Sequence, residues 1–142
     1  AVFQDVRASG VAGQTWSGSV QTAEFNTEIV PKSFVSESTN QFTMDAGIYL
    51  VRWRDSFTTA ANEYIQVYAY DTVGSVNVGG ARICNPSDAD KPDTTAHFYI
   101  NLSASKVIEI RLDASNAVSS VKDATGNGSF EYYQEVSFTK EG

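Results

Sequence analysis

A chain of 142 residues with 42% hydrophobic and 12% aromatic residues is one domain long and can bury about two-thirds of its unfolded surface, which excludes intrinsic disorder. Ten basic against seventeen acidic residues leave a net charge of −7, the wrong sign for gripping a phosphate backbone, which argues against nucleic acid as a partner. A single cysteine, Cys84, excludes an intrachain disulfide and a multi-cysteine metal site, and no stretch approaches the ~20 apolar residues of a membrane-spanning helix, so membrane insertion is not expected.

Ala1 to Arg7 alternates, with Val2, Gln4 and Val6 on one face and Phe3 on the other, and predicts a first strand. Gly10 and Gly13 break it into a loop, with Trp16 just beyond as a core-rim residue or a subunit contact. Between Val20 and Phe34 the alternation weakens; Phe25, Thr27 and Ile29 share a side, and Pro31 ends one irregular strand or two. Ser36 to Asn40 reads as a polar turn. Phe42 and Met44 then alternate with polar neighbours, Asp45-Ala46-Gly47 punctuates, and Ile48 to Trp53 is an almost unbroken apolar run, the pattern of a strand buried on both faces.

After the small polar stretch Ser56 to Asn62, a period of two resumes, with Ile65, Val67 and Ala69 opposed to Tyr64, Gln66, Tyr68 and Tyr70. Asp71 to Gly74 closes a turn, and Ser75 to Ile83 predicts a strand with a bulge at Gly79-Gly80. Asn85 to Thr94 holds two of the three prolines and reads as an exposed loop. Thr95 to Leu102 sets Phe98, Ile100 and Leu102 against His97, Tyr99 and Asn101. Val107 to Leu112 turns Ile108, Ile110 and Leu112 inward and Glu109 and Arg111 outward. A weakly patterned stretch ends in the turn signal Asn127-Gly128, and Phe130 to Lys140 closes the chain with Phe130, Tyr132, Val136 and Phe138 on one face. No window of the ~11 residues a helix needs has helical spacing. The fold class is therefore all-β, a single domain of about eight to ten short antiparallel strands in a sandwich, jelly roll or barrel.

Chemistry-bearing residues are sparse. His97, the only histidine, lies on the polar face of a strand, and with one cysteine neither a Cys-His pair nor a zinc site is compelling. Asp88, Asp90 and Asp93 cluster in an oxygen-rich loop of the kind that can hold calcium, but the spacing lacks the glycine and closing glutamate of an EF-hand, and a solvated acidic loop is the simpler reading. Neither catalysis nor a cofactor is expected.

Several segments together resemble the C1q/TNF-like jelly-roll family: the opening Ala1-Val-Phe-Gln-Asp5, the element Phe25-Asn-Thr-Glu28, the central stretch from Phe42 through Ala46-Gly47-Ile48-Tyr49 to Trp53, and the hairpin Leu102 to Arg111. The combination is most similar to jelly-roll domains of tailed-bacteriophage virion proteins, which occur in head decoration proteins, head fibres and tail-fibre tips. Ser105-Lys106 departs from the family's usual Gly-Asp before the penultimate strand. The resemblance implies a non-enzymatic homotrimer in the virion, assembled in the host bacterial cytoplasm and touching other capsid or fibre proteins. Its alternative is a receptor-binding tip that recognises a host-surface glycan or protein. An Ala start fits either loss of an initiator Met or excision from a longer protein. A trimer needs aromatic area left over once each core is filled, and Trp53, Tyr64, Tyr68, Tyr70, Tyr132 and Tyr133 are the expected interface surplus.

Overall fold

Alternating strands have one apolar face each to bury, and this chain buries them by stacking two antiparallel sheets over a shared core. The computed structural model describes residues 1–11, 13–14, 19–56, 64–84, 93–114 and 131–142. The first sheet runs in the order β3 (Thr27–Val30), β1 (Val2–Arg7), β11 (Glu131–Glu141), β6 (Gly47–Ser56), β9 (Asp93–Leu102). The second runs β4 (Val35–Ser38), β5 (Gln41–Met44), β10 (Lys106–Ala114), β7 (Tyr64–Asp71), β8 (Val76–Cys84), and β2 (Gln21–Thr22) also pairs with β10. Successive strands mostly change sheet, which is jelly-roll connectivity.

The sheets meet through phenylalanines. Phe42 of β5 sits edge-on to Phe3 of β1 and to Phe138 of β11, each with ring centroids 4.9 Å away, and Phe25 adds a tilted contact at 5.6 Å. Phe42 is fully enclosed, so one ring from the second sheet ties down two neighbouring strands of the first, the central β11 and β1 beside it.

Three expectations change. Ser36 to Asn40 is not all turn: β4 uses Ser36 to Ser38 as an edge strand, and only Thr39 and Asn40, both at positive φ, form the two-residue hairpin turn. The Asn40 side chain holds the turn in place by accepting a hydrogen bond from the Phe25 backbone at 2.8 Å. The break at Asp45-Ala46 does more than punctuate two strands of one sheet: it carries the chain from β5 in the second sheet to β6 in the first. Gly47, at φ 153°, makes the corner, where a Cβ would lie 2.6 Å from the Lys140 side chain. The run Ile48 to Trp53 is buried on one face only: Tyr49, Val51 and Trp53 point into the core, while Ile48 and Arg52 are exposed and Leu50 is half-covered. Ile29, expected beside buried Phe25, is exposed on the edge strand β3.

The register also sorts the two ends of the sandwich. Arg7 pairs with Glu131, Ser56 with Asp93 and Tyr64 with Cys84, so the connections 57–63, 85–92 and 115–130 all leave from one end. The opposite end is closed by short links: Asp45-Ala46, Thr72 to Ser75 and Ser103 to Ser105. There Asp71 Oδ1 accepts hydrogen bonds from the Val73 and Gly74 amides at 3.0 Å each, and its other oxygen meets Lys106 Nζ at 2.7 Å.

Truncating the ring that joins the sheets tests this core. Phe42→Ala is expected to cost about 3–5 kcal/mol in urea unfolding; a loss below about 1 kcal/mol would place the sheet contact elsewhere.

Candidate interaction surface

Two sheets packed on one core leave two outer faces, and these differ in chemistry. On the second sheet the outward residues around β10 satisfy one another. Glu109 of β10 accepts from Thr22 at 3.1 Å, Gln41 at 3.0 Å and Arg111 at 2.8 Å, and the Arg111 guanidinium lies 3.6 Å from the centre of the Tyr70 ring. Burial works against the charge on Glu109, but the hydrogen bonds from Gln41, Arg111 and Thr22 outweigh it and hold its carboxyl below the ordinary range.

The first sheet's outer face is open. Pairing places Val30, Val2, Ser137, Arg52 and His97 in one row across all five strands. The next row is Thr139, Leu50 and Tyr99, and the next Glu141, Ile48 and Asn101. Tyr99 is 61% exposed, Ile48 46%, and Val30 is exposed at the edge. A band of tyrosine, leucine, isoleucine and valine therefore faces outward from a sheet whose other side is already filled. Toward the end that bears the long connections the same face turns polar, where Glu135 accepts from Arg54 at 3.0 Å and from Gln4 at 2.6 Å.

Of the rings expected at an interface, Trp53, Tyr68 and Tyr133 are covered within the single chain. Trp53, expected at the interface, is instead 0% exposed in the core, its indole N–H donating to Gln134 Oε1 at 3.3 Å, and a ring so enclosed offers no area to a second subunit. Gln134 in turn donates to Gln14, which caps Glu24 and Thr22, so a buried polar chain fixes the indole. Tyr133 is 7% exposed because the segment after β1 folds over it, its hydroxyl donating to the Val11 carbonyl at 2.9 Å. Tyr68, at 8%, is covered on the second sheet's outer face beside Arg111, and burial raises its phenol above the usual value. Tyr70 is half-buried under Arg111. Tyr64 and Tyr132 take their places in β7 and β11, but their side chains lie outside the described residues, as do Trp16, Asp88, Asp90 and the side chains of Cys84 and Asp93. No three His, Cys, Asp or Glu side chains among the described residues come together as metal ligands.

The residues that make the open face, Tyr99, Ile48, Leu50 and Arg52, were not singled out from the sequence. The signal was present for Tyr99: in Thr95 to Leu102 the clean alternation of Phe98, Ile100 and Leu102 puts a large ring on the outward side.

Asp71 gives a titratable test of the closed end. The Gly74 amide, then Lys106, hold its carboxyl below the ordinary carboxylate range. A depressed folded value means that its contribution is complete above the unfolded value, about 3.9, and fades as pH falls through the lower folded value. Asp71→Asn should therefore melt below the wild type at pH 7, with the gap closing as pH drops below about 4; a gap that stays constant down to pH 2 would assign the loss to the turn's shape rather than to the charge.

No protein-family model matches this sequence, and no curated protein resembles it at the sequence level. Solved structures do share its architecture. A crystal structure of murine APRIL at pH 8.5 superposes with a TM-score of 0.55 at 13% identity, covering 99% of this chain and 98% of that one. A second, at pH 5.0, gives 0.54 at 13% identity over 94% and 98%. At that identity the likeness is one of fold, and it agrees with the strand order: the chain is a TNF-like jelly-roll sandwich.

Proposed function

We propose that this chain is a non-enzymatic structural subunit of a tailed-bacteriophage virion, a homotrimer that decorates the head or builds a fibre through contacts with its own copies and with capsid or fibre proteins. The observation that carries the assembly is the outward band of Tyr99, Leu50, Ile48, Val2 and Val30 on the first sheet, apolar area that one chain leaves in water. A three-fold ring needs two different patches per subunit, a face and something to lay on it. The first sheet supplies the face. The edge where β8 crosses β9 is a second candidate patch, closely packed because Gly79 has no Cβ to meet the Tyr99 carbonyl, which would lie 2.5 Å from it. The phage setting is carried by the sequence resemblance, in particular Phe25-Asn-Thr-Glu28 and the stretch from Ser38 to Tyr49.

One feature favours the second reading, a receptor-binding tip for a host-surface glycan or protein: the connections 57–63, 85–92 and 115–130 leave from the same end of the sandwich, as recognition loops on a rigid scaffold do.

Analytical ultracentrifugation tests the assembly. Three chains of 15.4 kDa predict a species of about 46 kDa at micromolar concentration. Leu50→Asp, which puts a charge into the band, should return it to the single-chain mass with unchanged β circular dichroism. A wild-type protein that sediments only as one chain would overturn the trimer.

A further inference from the structure

Beside the apolar band, the first sheet's outer face holds a groove of about 200 Å³ lined by Arg52, Arg54, Thr95, His97, Glu135 and Ser137. Its arginines are not alike. Arg54 is paired with Glu135. Arg52 has no carboxylate, ring or hydrogen-bond partner among the described residues, and neither do the side chains of His97, Ser137 and Thr95. The other described arginines are engaged: Arg7 with Asp5 and Glu24, Arg111 with Glu109, and Arg82 in an interaction of its own. With seventeen acidic residues to ten basic ones, partners for a guanidinium are plentiful on this chain, so an unpaired one is the exception. It is also centred: Ser137 and His97 are its register neighbours on either side, which sets a hydroxyl, a guanidinium and an imidazole in line across β11, β6 and β9, at strand spacings of about 5 Å.

We propose that this groove is an oxyanion-binding site. Arg52 supplies the planar fork that matches a carboxylate or phosphate, His97 and the Ser137 and Thr95 hydroxyls supply the remaining donors, and the Arg54–Glu135 pair forms one wall. The volume is below the ~300 Å³ of an ordinary small-molecule pocket, so the site takes one charged group rather than a whole drug-sized ligand. That group is carried either by a free anion or by an acidic side chain of a second copy. The site belongs to a single chain and stands whether or not chains assemble in threes.

His97 is the only histidine, so its imidazole gives one resolved signal in the full-length protein and reports on the groove directly. Titration with sodium phosphate or sodium acetate should move that signal along a saturating curve, sodium chloride at equal ionic strength should not, and Arg52→Gln should weaken the response at least about tenfold while leaving β circular dichroism unchanged. A second arm raises protein concentration in anion-free buffer: a His97 shift that appears with self-association, and is lost together with tight association in Arg52→Gln, assigns the oxyanion to a neighbouring copy's carboxylate. The proposal is overturned if phosphate, acetate and chloride act alike and Arg52→Gln matches the wild type in both arms. Trimer formation in that case would leave the assembly reading standing, and its absence alongside a saturating phosphate response would leave the groove standing.

Discussion

One ring holds the two layers in register. Phe42 reaches from β5 to touch both Phe3 and Phe138, and the strands that carry those two rings, β1 and β11, are neighbours in the first sheet. Everything that faces outward inherits its position from this contact, because strand alternation then fixes which residues turn to water. With Val51 and Trp53 committed to the core beside Phe138 and Val136, their neighbours Leu50 and Arg52 have no choice of side. The open face is thus a consequence of the core.

The two outer faces differ in what they leave unsatisfied. On the second sheet Glu109, Arg111, Gln41, Thr22 and Tyr70 close a network among themselves, so a partner would have to break existing hydrogen bonds to bind there. On the first sheet, Leu50 and Tyr99 offer apolar area and Arg52 offers an unused charge, so a partner gains without breaking anything. A subunit contact and an anion site on one face are compatible, since burying Arg52 beneath a neighbour would require the counter-charge that the groove is shaped to receive.

Much of the fold was readable from the chain because five strands alternate without interruption: the inward sets Ile65, Val67, Ala69 and Ile108, Ile110, Leu112 are buried as their period of two demands. Short edge strands were not, since β4 is mostly polar and its pairing with β5 comes from a turn at Thr39-Asn40 rather than from its own propensity. Side-chain cover was the least readable property. Tyr133 is capped by a carbonyl more than a hundred residues away in sequence, Trp53 is held by a glutamine eighty-one residues on, and Tyr70 lies under an arginine from the next strand. Alternation tells which side of a sheet a tyrosine occupies and nothing about what later folds over it. Alternation alone therefore does not separate the covered rings of Trp53, Tyr68 and Tyr133 from Tyr99, which is 61% exposed among the described residues.

Whether the outer face of the first sheet is covered on association decides how copies of this chain meet. Hydroxyl-radical footprinting, run on dilute and on concentrated wild-type protein, compares the Tyr99 side chain with Val73, a residue 78% exposed on the tight turn after β7 and so an internal control. Strong protection of Tyr99 on concentration with Val73 unchanged is the predicted result. Equal labelling of Tyr99 in both samples, while the mass shows association, would mean that copies meet through another surface and would contradict the account.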